Sequence, residues 1–127
     1  MDEHDCSSWM IFSKRDYDSA RYLSTMYPPP VEVICFLCQQ ASEKALKAIL
    51  VQEEVMAPRT HDLVALVQSM ETKHPDLARL LPECVRLSTY AVAMRYPYRG
   101  DLPAGAETQA LKDAEVILAC VKKVLDS

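Results

Sequence analysis

Gln39-Gln40-Ala41-Ser42-Glu43-Lys44-Ala45-Leu46-Lys47-Ala48 is the stretch on which the fold turns. At 3.6 residues per turn, Ile34, Leu37, Cys38, Ala41, Ala45, Ala48 and Ile49 share one side of a helix, and Cys35, Leu46 and Leu50 widen it. Gln40, Glu43, Lys44 and Lys47 recur at i, i+3, i+4 and i+7 and make a narrow polar stripe opposite. A helix apolar over most of its circumference must be wrapped by other helices, and small Ala and Cys residues let them approach closely. The spacing therefore predicts a central helix over residues 31–54. Its stripe is either one solvated strip or the floor of a site.

Working outward, the flanking segments have the same period. Trp9 to about Met26 reads as a first helix, with Trp9, Phe12, Ala20 and Leu23 near one face and Lys14, Arg15, Asp18 and Arg21 toward solvent. Pro28-Pro29-Pro30 ends it. Beyond the central helix, Thr60 is the expected N-cap of a third helix carrying Leu63, Leu66, Val67 and Met70. After His74-Pro75-Asp76, residues Leu77, Leu80, Leu81, Cys84, Leu87 and Ala91 repeat at three and four. Pro82 lies inside that pattern, so the fourth helix either kinks there or starts afresh with Pro82 in its first turn. It should end near Met94 to Tyr96, ahead of an irregular segment from Tyr96 to Gly105. A last helix has Leu111, Ala114, Leu118, Val121 and Leu125 on one seam, reinforced by Ile117 and Val124, with Lys112, Asp113, Lys122 and Lys123 facing away. No run alternates as a half-buried strand does. The expectation is an all-α, up-and-down bundle of four to five helices, with sequential helices antiparallel.

Composition sets the outer bounds. A chain of 127 residues is expected to form one domain able to bury a core. Its formal net charge of −4 argues against non-specific binding to a nucleic-acid backbone but leaves room for a local basic site. No stretch approaches 18 apolar residues, so no membrane partner is expected, and the acidic Met1-Asp2-Glu3-His4-Asp5 reads against a signal peptide. The five cysteines are odd in number and fit reduced thiols in a cytoplasmic protein. Cys35-Phe36-Leu37-Cys38 has CxxC spacing, yet it sits in an apolar helical run without a second pair or paired histidine. Core packing explains it, and neither a metal nor a cofactor is expected.

If the second, third and fourth helices alternate, the end of the second, the start of the third and the end of the fourth meet at one end of the bundle. Lys47, His61, Arg95 and Arg99 then gather there, with Tyr96 and Tyr98 alongside and Lys44 a further candidate from the stripe. Such a cationic, aromatic corner could attract a phosphate or a nucleotide, helped by the N-terminus of the third helix. In the structural alternative His61 caps or packs the loop, and the arginines pair with local carboxylates such as Asp62 and Asp101. Catalytic inventory is thin: there is no HExxH, no Walker motif and no glycine-rich phosphate loop.

Gln39-Gln40-Ala41-x-Glu43-Lys44-Ala45-x-Lys47-Ala48, followed by His61-Asp62-Leu63 and Arg95-Tyr96-Pro97, resembles the HEPN domain family of small helical proteins. The resemblance runs from about Trp9 to the C-terminus and implies the same bundle. For function it implies a homodimer, a nucleotide or RNA ligand, and a minimal nucleotidyltransferase as partner in a toxin–antitoxin-like arrangement. Ribonucleases of the family carry an Arg-x4-6-His signature, the Arg steadying phosphate and the His moving a proton. Arg95 could match the arginine, but the histidine positions hold Gly100, Asp101 and Leu102, and Arg99 has no histidine in range either. Three readings follow. The first is a non-catalytic nucleotide- or anion-binding protein that acts with a partner. The second is a metal-independent ribonuclease using His61 or Asp101, and the third is a purely structural dimerisation module.

Overall fold

A computed structural model of the chain describes residues 5–91 and 102–127. Five α-helices account for most of them: α1 (Cys6–Leu23), α2 (Val31–Gln52), α3 (Leu63–Met70), α4 (Leu81–Ser88) and α5 (Ala106–Asp126). Short 3-10 segments at Pro75–Leu80 and Thr89–Ala91 flank α4, and no strand occurs among the described residues. This is the all-α bundle that the periodicity predicts. Among the described residues no helix is long and apolar enough to cross a membrane.

Helix α2 is the buried centre. Ile34, Cys35, Cys38, Ala41, Ala45, Leu46, Ala48 and Ile49 are fully enclosed, and Leu50 nearly so. Its small residues allow α1 to come close: the fully buried Ser13 donates its hydroxyl to the Ala41 carbonyl at 2.6 Å. Asp5 caps α1 by accepting from the Ser7 amide, so α1 begins three residues before Trp9. Helix α5 closes the opposite side, with Gln52 of α2 donating to the Leu125 carbonyl at 3.4 Å. Its inner face is rotated from the expected seam. Ala106, Ala110, Ala114, Ile117 and Val121 are buried, whereas Leu111, Leu118, Val124 and Leu125 are only half-buried.

Asp113 departs from expectation: instead of facing away, it is 2% exposed. A buried carboxylate needs partners, and Arg86 of α4 supplies two, with Nε and a terminal nitrogen at 2.9 and 2.8 Å. Gln109 adds a third bond at 2.9 Å, so this cluster ties α4 to α5. The fourth helical pattern divides as the proline suggested. Pro75–Leu80 is 3-10, and α4 starts afresh at Leu81 with Pro82 in its first turn. The expected end near Met94 to Tyr96 lies outside the described residues.

One connection departs from simple alternation. Helix α2 ends at Gln52 rather than Glu54, and Glu54 takes a left-handed conformation, φ 59°. Its amide donates to the Val51 carbonyl at 3.0 Å, and the Val55 amide donates to the Leu50 carbonyl at 2.9 Å. That pair of bonds is a Schellman closure, usually built on glycine. It reverses the chain, and the following residues run back along α2 until His61 meets Gln39 and Glu43. At the other end of α3, Glu53 receives His74 Nε2 at 2.5 Å and Lys73 Nζ at 3.4 Å. Helix α3 therefore runs in the same sense as the second half of α2. Its start faces the middle of α2, not its end.

Two outcomes follow. Glu54→Gly should raise stability by about 0.5–1 kcal/mol, since relief of left-handed strain exceeds the added chain entropy of glycine; a urea midpoint no higher than wild type would contradict this. All five cysteines are free, and burial pushes the thiols of Cys35, Cys38 and Cys84 up to about 11, 12 and 12. Thiol titration of the native protein should modify the half-buried Cys6 and Cys120 first, with the other three reacting only on unfolding.

Candidate functional site

The polar residues of α2 are ordered by the turn of the helix. Gln39, Glu43 and Lys47 stand at i, i+4 and i+8, one above another. They face the residues that precede α3, and the stripe is not solvated there. Gln39 is fully buried, Glu43 is 6% exposed, and the Lys47 side chain is 12% exposed.

Each polar atom of this row has a defined partner. Glu43 Oε2 accepts from Lys47 Nζ at 2.9 Å, and Oε1 lies 2.9 Å from His61 Nδ1. The Gln39 amide donates to Glu43 Oε1 at 3.1 Å and to the His61 carbonyl at 3.0 Å, while its own oxygen accepts from Gln40 at 2.7 Å. Burial alone would raise the Glu43 carboxyl. Hydrogen bonds from Lys47, His61 and Gln39, with the Lys47 charge, outweigh it and hold the group below the usual carboxylate range. An ionised Glu43 requires a proton on His61 Nδ1. The ring is half exposed, and its other nitrogen, Nε2, makes no hydrogen bond among the described residues.

The His61-Asp62-Leu63 run divides three tasks among three residues. His61 docks on α2 through both its ring and its carbonyl. Asp62, and not Thr60, caps α3 by accepting from the amides of Val64 and Ala65 at 3.0 and 3.4 Å. Thr60 instead accepts from the Asp62 amide at 3.0 Å and shapes the turn before it. Leu63 is fully buried, and its amide donates to Ser88 at the end of α4. The start of α3 and the end of α4 thus meet at Ser88, beside the middle of α2 and not its end.

Of the residues expected to form a cationic corner, Lys47 and His61 come together, and both are tied to the Glu43 carboxylate. Lys44 does not join them; it pairs with Asp16 of α1. Arg95, Tyr96 and Arg99, with Tyr98 and Asp101, lie outside the described residues. Sequence reasoning missed Gln39, which the i, i+4, i+8 row could have exposed, and the central role of Glu43. It also missed the Arg86–Asp113–Gln109 cluster, for which no local signal exists.

With this geometry in place, a family model described as HEPN domain matches residues 7–127. The chain belongs to the HEPN domain family. The crystal structure of ST0689, an archaeal HEPN homologue, superposes with a TM-score of 0.73 at 25% identity. The superposition covers 94% of this chain and 96% of that one. A search of curated proteins returns no match. Within this HEPN domain the Gln39–Glu43–Lys47 row is first a lock that joins α2 to α3. Chemically, the described part of the site offers an anchored imidazole and one lysine whose charge is already matched by Glu43.

Replacing the carboxylate isolates that lock. Glu43→Gln should cost about 2 kcal/mol near neutral pH, the scale of hydrogen bonds to a buried charge. Because the folded carboxyl titrates below its unfolded value of about 4.3, the stabilisation is complete above that value and is lost as pH falls through the folded one. The gap between wild type and Glu43→Gln in urea unfolding should therefore narrow below pH ~4. A gap that stays constant down to strong acid would contradict the assignment.

Proposed function

We propose that this HEPN-domain protein is non-catalytic, binds a nucleotide or a similar anion where α3 meets α2, and acts as a homodimer with a partner such as a minimal nucleotidyltransferase. The carrying observation is the His61 ring: half exposed, anchored through Nδ1 to the carboxylate that also holds Lys47, and with Nε2 making no hydrogen bond among the described residues. Glu43 and Lys47 cancel, so these two residues offer an anion no net charge of their own. In the sequence Arg95 and Arg99 are the further cations for that ligand, Arg95 with the bidentate fork that suits phosphate. The missing histidine after Arg95 supports the non-catalytic reading, and the family membership supports the two-component and dimer readings.

One geometric feature favours a second reading, a metal-independent ribonuclease. A buried carboxylate on Nδ1 of a half-exposed ring is an arrangement that orients an imidazole for proton transfer. The difference between the two readings is one of activity, so assays separate them.

Thermal shift with a panel of nucleoside triphosphates and inorganic phosphate tests the first. A ligand at a hundredfold its dissociation constant should stabilise by about 2.7 kcal/mol. Arg95→Ala should remove most of the shift and leave the melting of the free protein unchanged. Lys47→Ala should weaken the shift less, and it lowers the melting temperature of the free protein because Glu43 loses a partner. No shift with any member of the panel would leave the structural module standing. Robust RNA cleavage in chelator, lost in His61→Ala, would install the ribonuclease reading instead.

A further inference from the structure

Where α3 meets α2, almost every donor is already taken. Lys47 is held by Glu43 at 2.9 Å, and Lys44 by Asp16. The Gln39 amide is shared between Glu43 and the His61 carbonyl. The first amides of α3 are taken as well: Leu63 donates to Ser88, Val64 and Ala65 donate to the Asp62 side chain, and Leu66 donates to the Asp62 carbonyl. The N-terminus of that helix therefore has no amide open to an anion. In its neutral form the His61 ring brings no charge either: the proton sits on Nδ1, toward Glu43, and Nε2 is then an acceptor. Among the described residues of this junction, that leaves the guanidinium of Arg59, two positions before His61. It is exposed and has no ion-pair, hydrogen-bond or ring partner among them.

We propose that Arg59 is an anion-binding cation of this site, its guanidinium fork taking two oxygens of a ligand phosphate beside the His61 ring. The proposal rests on the anion-binding reading above and names a residue that carries the charge. Local geometry prepares Arg59 for that task. The Thr60 amide donates to the Pro58 carbonyl at 2.9 Å, which makes a three-residue turn with Arg59 at its apex. Arg59 is not among the residues with positive φ, so the turn is of the unstrained hand. Pro58 restricts the chain on one side of the apex, and Ala57 before it packs against the core. On the other side His61 is bonded to α2 through both its ring and its carbonyl. The backbone that carries Arg59 is thus held at both ends, and binding orders little more than its side chain. Asp62, the carboxylate next in the chain, has Oδ1 occupied by two amides of α3 and makes no pair with Arg59. A fork of donors matches a phosphate, where a lysine offers only a point charge.

Substitution at Arg59 tests the assignment, with inorganic phosphate and a panel of nucleoside triphosphates as probes in isothermal titration. Arg59→Ala should raise the dissociation constant of every probe that binds wild type, on the order of tenfold or more. Arg59→Lys should recover only part of that loss, since lysine keeps the charge without the fork. Lys112→Ala is the control. Lys112 is exposed in the groove between α1 and α5 and has no ion pair among the described residues, so its loss removes the same charge from another face and should leave the constants unchanged. Circular dichroism melts of all three free variants should match wild type, because both side chains are exposed. An unchanged constant in Arg59→Ala, with wild type binding, overturns the proposal and leaves the anion-binding reading standing. An equal loss in Lys112→Ala assigns the effect to net charge and overturns it as well. Full recovery in Arg59→Lys removes the fork. A wild type that binds none of the probes removes the anion-binding reading and the role of Arg59 together.

Discussion

A carboxylate enclosed in a helical core must be matched by donors or it would not remain ionised, and Glu43 sets that condition for this bundle. Its two oxygens take Lys47 on one side and His61 with Gln39 on the other. Lys47 and Gln39 belong to α2 and cost little to bring close, whereas His61 arrives from the chain preceding α3. The need to satisfy Glu43 therefore draws that segment back along α2, and the Gln39 amide holds it by its backbone as well. The left-handed closure at Glu54 makes the return path possible. What reads in the sequence as a loop between two helices is a strap with a fixed end point.

The same economy governs the other helix contacts. Helix α2 presents alanine, serine and cysteine where neighbours press closest, so one hydroxyl, that of Ser13, can reach a main-chain oxygen across the α1–α2 contact. Where larger separations occur, polar side chains cross between elements and are bonded at both ends. Arg86 with Asp113 joins α4 to α5, Tyr17 with Glu115 joins α1 to α5, and Glu53 with His74 joins the end of α2 to the segment after α3. These crossings fix how the helices are placed along one another, which apolar packing alone leaves loosely determined. They also explain how a chain with so few glycines joins its elements. Gly105, at φ 80°, is used where the backbone enters α5, and Glu54 bears the same geometry without that help.

Two sets of side chains stand on faces that do not coincide. The row of Gln39, Glu43 and Lys47 faces the segment before α3, and His61 brings its ring to the surface there. A line of Ile11, Arg15, Asp18 and Tyr22 lies on the outer side of α1. Lys44 stands between them in chemical terms. It continues the polar stripe of α2, yet its ion pair with Asp16 commits it to the α1 contact. In this acidic protein, net charge −4, four of the described lysines, Lys14, Lys44, Lys47 and Lys73, are held by carboxylates.

Periodicity determined the helices. The cores of α2 and α3, the break before α4 and the role of Pro82 were all legible, because burial repeats every three to four residues and proline acts locally. The motif residues were legible too, as a resemblance that the family match bears out over residues 7–127. Burial of polar groups was not. Asp113 looked like a solvent residue between Lys112 and the seam, and nothing near it in the chain announces Arg86, which lies twenty-seven positions away. Thr60 read as the cap of α3, but the helix starts at Leu63 and the cap is Asp62, a choice set by the direction of the incoming chain. Lys44 and Lys47 look alike in sequence, three residues apart, and only their neighbours, Asp16 and Glu43, separate them. A local pattern encodes which side of a helix is apolar. Which polar groups must be enclosed together depends on contacts between distant segments, and those exist only once the helices have packed.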